Sequence, residues 1–188
     1  VVDTSMGLTP LEGLVMGTRP GDVDPGITPY IMKERDMSIE EVDQAFNKQS
    51  GVLGISGVSN DFRELAEAAE KGNRRAELAV TIFCRRVKKY IGAYMALMGG
   101  LDLLIFTAGI GENAVEVRAE ILSDLEYLGI EIDQEKNNSR GKEVRISSDS
   151  SKADVYVIPT NEELVIAREA KKIVENHIKE IIENMFEE

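Results

Sequence analysis

From Arg74 to about Met98 apolar residues recur at helical spacing, at Leu78, Ile82, Val87, Ile91, Tyr94, Met95 and Met98. This predicts one long helix with a core-facing stripe and a basic outer patch of Arg85, Arg86, Lys88 and Lys89. Gly99-Gly100 ends it, and the apolar run Leu101 to Thr107 has the length and continuity of a strand buried on both faces. Ala108 to Asn113 reads as a tight glycine turn, followed by a helix over Ala114 to Leu128. Ile130-Glu131-Ile132, Val144-Arg145-Ile146 and Val155 to Ile158 are short strand candidates. Thr160 with Glu163 forms a capping box that opens a last helix through at least Val174, with a charged tail to Glu188. Strands separated by helices of these lengths define an α/β protein with a largely parallel sheet.

The opening third is dense in turn formers, with Gly7, Pro10, Gly13, Gly17, Pro20, Gly21, Pro25, Gly26 and Pro29 between short helical pieces. Ser38 and Glu41 predict a capped helix to about Gln49, ended by Gly51. Val52 to Val58 is a small-residue segment. It leads to Ser59-Asn60-Asp61-Phe62-Arg63, where Asn60 or Asp61 can cap a helix through Glu70 that stops near Gly72.

Composition narrows the function classes. The 188 residues are 43% hydrophobic and 30% charged, which suits one folded domain and not a disordered chain. Twenty-two Lys and Arg against thirty-four Asp and Glu leave −12, so generic binding to nucleic acid or an anionic membrane is excluded. No apolar run approaches the roughly 20 residues of a transmembrane helix. One cysteine, Cys84, and one histidine, His177, exclude a disulfide framework and the usual zinc sites, and point to a reducing, cytoplasmic setting. Cys84 reads as packing, His177 as surface, and Met6, Met16, Met95 and Met98 as core filler. The start at Val1, with no initiator methionine or signal-peptide pattern, reads as a chain cut mid-strand, that is, a fragment.

Four segments carry candidate chemistry. In Phe106-Thr107-Ala108-Gly109-Ile110-Gly111-Glu112-Asn113, glycines after a strand let backbone approach a ligand, and the following helix start favours phosphate; an ordinary strand-to-helix turn is the other reading. Gly109, Gly111 and Ala114, with Glu131 twenty residues past Gly111, also satisfy a dinucleotide-binding pattern. Against an NAD-binding oxidoreductase stands Glu112, a carboxylate beside a bare pyrophosphate. Pro159-Thr160-Asn161-Glu162-Glu163 ends another strand, so Glu162 can either hold magnesium or serve the helix start, and this turn and the glycine turn can face one cleft. Arg19, before the Pro20-Gly21 turn, is either a phosphoryl clamp or a solvated side chain. Asp61 either caps its helix or accepts from a nucleoside, with Arg63 able to stack on a base.

Taken in order, Asp3 to Leu14, Met16-Gly17-Thr18-Arg19, Ser59 to Arg63, Phe106 to Asn113 and Ile158 to Leu164 resemble the motifs of acetate kinases. Together they span almost the whole chain, which resembles the C-terminal half of such an enzyme. The resemblance implies a ribonuclease-H-like domain of the actin, Hsp70 and sugar kinase superfamily, a mixed sheet flanked by helices and lacking its first strands. Residues 1–188 would be the nucleotide-binding domain. It implies reversible, magnesium-dependent phosphoryl transfer (manganese as a substitute) between ATP and acetate, giving ADP and acetyl phosphate. By the same resemblance Arg19 is the transition-state stabiliser. Asp61, Phe62 and Arg63 contact adenosine, Gly109, Ile110, Gly111, Glu112 and Asn113 form the second nucleotide loop, and Glu162 is magnesium-associated. Family members are homodimers joined largely through this domain. The family's acyl pocket, a further substrate arginine, a catalytic aspartate and histidines, and a first phosphate segment His-Leu-Gly-Asn-Gly have no counterpart here. The 188 residues alone are therefore expected to be inactive. Alternatives are propionate kinase or another short-chain acyl kinase, and a noncatalytic nucleotide-binding module.

Overall fold

The computed structural model describes residues 1–186, with side chains described through Ile178. After a turn-rich opening, α1 (Ile27–Arg35) and α2 (Ile39–Lys48) lead into α3 (Gly51–Ser56), α4 (Phe62–Glu70) and the long α5 (Arg74–Met98). The Ser38–Glu41 capping box forms at the start of α2, each residue satisfying the other's backbone N–H, at 2.7 and 3.2 Å. Gly51 does not end a helix as expected; it begins α3. It adopts φ +62°, and a Cβ there would drive into the Met16 carbonyl oxygen and lie 2.8 Å from Arg19 backbone nitrogen and oxygen. The small-residue segment 52–58 is thus largely helical because its glycine lets another loop close over its start. Asp61 is the cap of α4, accepting Arg63 N–H at 2.9 Å.

Helix α5 has the predicted bounds, capped by Asn73 and stopped by Gly99 at φ +73°. Its buried face differs from the expected stripe. Ala76, Ala79, Phe83, Cys84, Ile91 and Met95 are buried, whereas Leu78 and Met98 are half exposed. α3 and α4 pack on one part of α5 and α7 (Val115–Leu122) on another, so small side chains and Phe83 fit where larger apolar residues would clash. The basic patch is also divided. Arg85 and Lys89 are exposed, while Arg86 pairs with Asp22 and Lys88 donates to Ser123. Met6 is exposed, not core; Cys84 is buried, and burial pushes its thiol up to about 12.

Strand β1 (Leu103–Phe106) runs into α6 (Ala108–Asn113) and α7. The expected helix to Leu128 stops at Leu122 because Lys88 Nζ takes the Ser123 carbonyl at 2.6 Å and Asp124 turns to φ +57°; a 3-10 turn, Glu126–Leu128, follows. After α8 (Gln134–Asn137) come β2 (Val144–Arg145), β3 (Asp154–Val157) and α9 (Glu162–Phe186). The candidate strand Ile130–Ile132 is reduced to one bridge, Ile132 to Ser147. The sheet is three-stranded and mixed, in the order β1-β3-β2. β1 and β3 are parallel, Leu103 opposite Asp154 through Phe106 opposite Val157, and β2 is antiparallel to β3. Central β3 buries Val155 and Val157 completely. β1 does not: it is an edge strand, and Leu103 and Ile105 are each 46% exposed on its uncovered face.

Candidate functional site

Because β1 and β3 are parallel neighbours, both chains leave the sheet at the same end, where Ile158 N–H donates to the Phe106 carbonyl at 2.9 Å. The two predicted turns therefore sit side by side. The glycine turn is wound into the short helix α6. Ala108 enters it at φ +60°, strained for a residue with a Cβ, and space above Gly109 is open. Gly111 lies against Phe106 backbone, and Ile110 packs on the core, so both can meet a ligand mainly through backbone. Asn113 is spent inside the helix, donating to the Gly109 carbonyl at 3.0 Å.

Glu112 joins the turns. Its Oε1 accepts Thr160 N–H at 2.9 Å and Thr160 hydroxyl at 3.1 Å. The Thr160 backbone bond, more than any other contact, holds its carboxyl below the usual range. The capping box expected from Thr160 and Glu163 does not form, since the threonine serves Glu112. Asn161 accepts Leu164 N–H at 3.0 Å in its place. Glu162, first residue of α9, is exposed. Glu163 follows it in the first turn of α9, and among the described residues no group of three or more His, Cys, Asp or Glu could hold a metal. That donor set fits magnesium bound by one carboxylate with substrate oxygens and water, and does not fit a metal caged by protein alone.

Beneath the glycine turn lies a residue the sequence reading missed. Arg118 of α7 is fully buried, and its guanidinium donates to the carbonyl of Gly111 (2.9 Å), the carbonyl and side chain of Asn137 (2.7 and 2.8 Å) and the Ser139 carbonyl (2.7 Å). Burial pushes its pKa down. The signal was present in the spacing: Arg118 lies four residues after Ala114 and three before Ile121, on the inward face.

Arg19 and the Asp61 segment form a second group. The Met16, Gly17 and Thr18 carbonyls accept N–H groups of Val52, Leu53 and Ser50 at 2.9 to 3.0 Å, and Thr18 hydroxyl donates to Asn47 carbonyl at 2.8 Å. A Cβ on Gly17 would stand 3.2 Å from that of Asn60, so this loop abuts the start of α4. Asp61 is fully engaged. Arg63 donates to it from Nε (3.1 Å) and Nη2 (2.6 Å), which holds the carboxyl down to about 2. The Arg63 side chain remains 88% exposed, and Phe62 packs edge-on to Phe83 at 4.7 Å between ring centres. Glu112 and Thr160 thus bring the glycine turn and the turn before Glu162 together, and the loop that carries Arg19 meets the start of α4 through Gly17 and Asn60. Among the described residues no hydrogen bond or ion pair joins the two groups. A cavity of about 300 Å³ beside Arg19, lined by Pro20, Gln49, Ser50, Gly51, Gly54 and Ile55, does not reach the glycine turn.

Two turns side by side at the carboxyl ends of parallel strands define an α/β domain of the kind that binds ligands at its sheet edge. Residues 1–168 match the model of the acetokinase family, and the chain belongs to that family. It is 59% identical over 175 residues to the acetate kinase of Halothermothrix orenii, which covers 93% of this chain and 44% of that relative. Acetate kinase of Porphyromonas gingivalis superimposes with a TM-score of 0.86 at 48% identity, over 90% of this chain and 43% of that one. A propionate kinase from Francisella tularensis gives 0.82 at 51%, over 89% and 42%. The chain thus spans under half the length of these relatives. Membership removes the NAD-binding reading. Glu131, its supposed ribose ligand, instead accepts Ser150 hydroxyl at 2.5 Å, on a segment that is not a strand. Among the described residues no helix is long and apolar enough to cross a membrane.

Proposed function

We propose that residues 1–188 are the nucleotide-handling half of a short-chain acyl kinase that moves the terminal phosphoryl group of ATP to acetate. The carrying observation is the Glu112–Thr160 junction, which sets the glycine turn and the Glu162 turn at one sheet edge. In this reading the α6 backbone around Gly109 to Gly111 faces the phosphates, and Asp61 and Arg63 take the adenosine. Arg19 neutralises charge on the moving phosphoryl, with its loop fixed beforehand so that little reorganisation is needed. Glu162 would hold magnesium, which when bound screens the phosphate charges. Glu112, turned onto Thr160, keeps its own charge off the ligand. A second reading, propionate as acceptor, rests on the 51% identity to the Francisella tularensis enzyme, against 59% to the Halothermothrix orenii acetate kinase. Self-association through this domain belongs to the same proposal.

The test is acetyl phosphate formation, trapped as the hydroxamate. The 188 residues alone should form none, and adding the N-terminal half of the Halothermothrix orenii acetate kinase should restore ATP-dependent product with either acetate or propionate. Product from the chain alone would overturn the division of labour. ATP binding without restored turnover by the mixed halves would favour a noncatalytic nucleotide module.

A further inference from the structure

The loop bearing Arg19 is closed at its base by one residue. Asp22 N–H donates to the Gly13 carbonyl at 3.0 Å, and Asp22 Oδ1 accepts Gly13 N–H at 2.9 Å. Gly21, at φ +72°, makes this closure possible, since a Cβ there would stand 2.5 Å from the Gly13 oxygen. The same carboxylate reaches out of the loop. Oδ2 accepts Arg86 Nη1 at 2.7 Å, and Tyr90 hydroxyl lies 3.1 and 3.0 Å from the two oxygens, one turn further along α5. Burial, and then its bond to Asp22, push the Tyr90 phenol up to about 12.

Arg19 itself is only half buried, and its guanidinium meets Met16 sulfur at 4.0 Å, a contact too weak to aim it. What the structure fixes is the backbone from which it projects, held at the tip by Ser50, Val52 and Leu53 amides and at the base by Asp22. We propose that Asp22, moored to α5 by Arg86 and Tyr90, is a positioning residue for Arg19. This rests on the kinase reading given above. The Asp22–Arg86 pair is partly exposed, so its worth lies in geometry more than in stability. Misplacing a phosphoryl-contacting group by about 1 Å can cost on the order of 100-fold in rate.

The experiment has two arms. In the complemented enzyme, Asp22→Ala should lower kcat by about 10- to 100-fold while the ATP KM stays within about twofold. Asp22→Asn and Tyr90→Phe, which remove less, should lower kcat by smaller factors. In an Arg19→Ala background Asp22→Ala should cost nothing further, because the two act as one unit. Full multiplicative loss in the double variant overturns the proposal, as does an unchanged kcat. If Arg19→Ala alone loses under about twofold, the kinase role of Arg19 fails, while the mooring is judged by the second arm. There, hydrogen exchange of the Ser50, Val52 and Leu53 amides in the 188-residue chain should quicken at least about 10-fold in Asp22→Asn. Exchange within about twofold of the unaltered chain overturns the mooring. Should Asp22→Ala fail to fold, Asp22→Asn and Tyr90→Phe decide both arms.

Discussion

Replacing Arg118 by methionine keeps most of the aliphatic stem and removes the guanidinium, so its effect isolates four hydrogen bonds, two of them buried and two partly buried. The carbonyls of Gly111, Asn137 and Ser139 would lose a charged donor, at about 1–3 kcal/mol each if left unmet. Relief from burying the cation offsets part of this, leaving about 3–5 kcal/mol, the usual cost of breaking a buried charged contact. For a domain of this size that is a drop in Tm of about 6–20 °C by differential scanning calorimetry. Arg118→Lys keeps the charge but cannot reach three carbonyls with a planar fork, so it should fall between. Hydrogen exchange should quicken around Gly111 and Gly141, whose N–H donates to the Glu112 carbonyl at 3.2 Å. A loss under about 1 kcal/mol in Arg118→Met would refute the view that this side chain holds the turn from below.

Two further outcomes follow from the site. The Asp61 carboxyl should titrate near 2 by carbon NMR, not near 3.8, and Arg63→Ala should move it back up, since Arg63 is the largest cause of the depression. Because the folded value is lowered, the cap's contribution is complete above the unfolded pKa and is lost as pH falls toward 2; a midpoint near 3.8 in the unaltered chain would contradict the ion pair. Ala108→Gly should relieve the φ +60° backbone by about 1 kcal/mol and raise Tm by about 2–4 °C, with Ala108→Val lowering it; equal Tm values in all three would show that no strain is stored there.

What was legible in the chain was whatever local chemistry decides. The span of α5 follows from its apolar spacing and Gly99, the start of α2 from Ser38 and Glu41, and the α/β class from strand and helix lengths, though only one of the two strand pairings is parallel. What failed depended on distant partners. Thr160 looked like a cap because nothing local announces that Glu112 will claim it from 48 residues away. Leu103 and Ile105 looked buried because an apolar run does not say how many neighbours its strand will have. Gly51 looked like a stop because the loop that needs its missing side chain lies more than 30 residues upstream. At the site, the motif segments were visible but the wiring among them, through Arg118 and Asp22, was not.

That wiring has a temporal side. Asp22 waits for Arg86 and Tyr90, 64 and 68 positions later, so the arginine's seat is assembled only after α5 has been synthesised and docked. Ribosome-bound chains halted before position 86 would hold the ten-residue ring from Gly13 to Asp22 closed yet untethered.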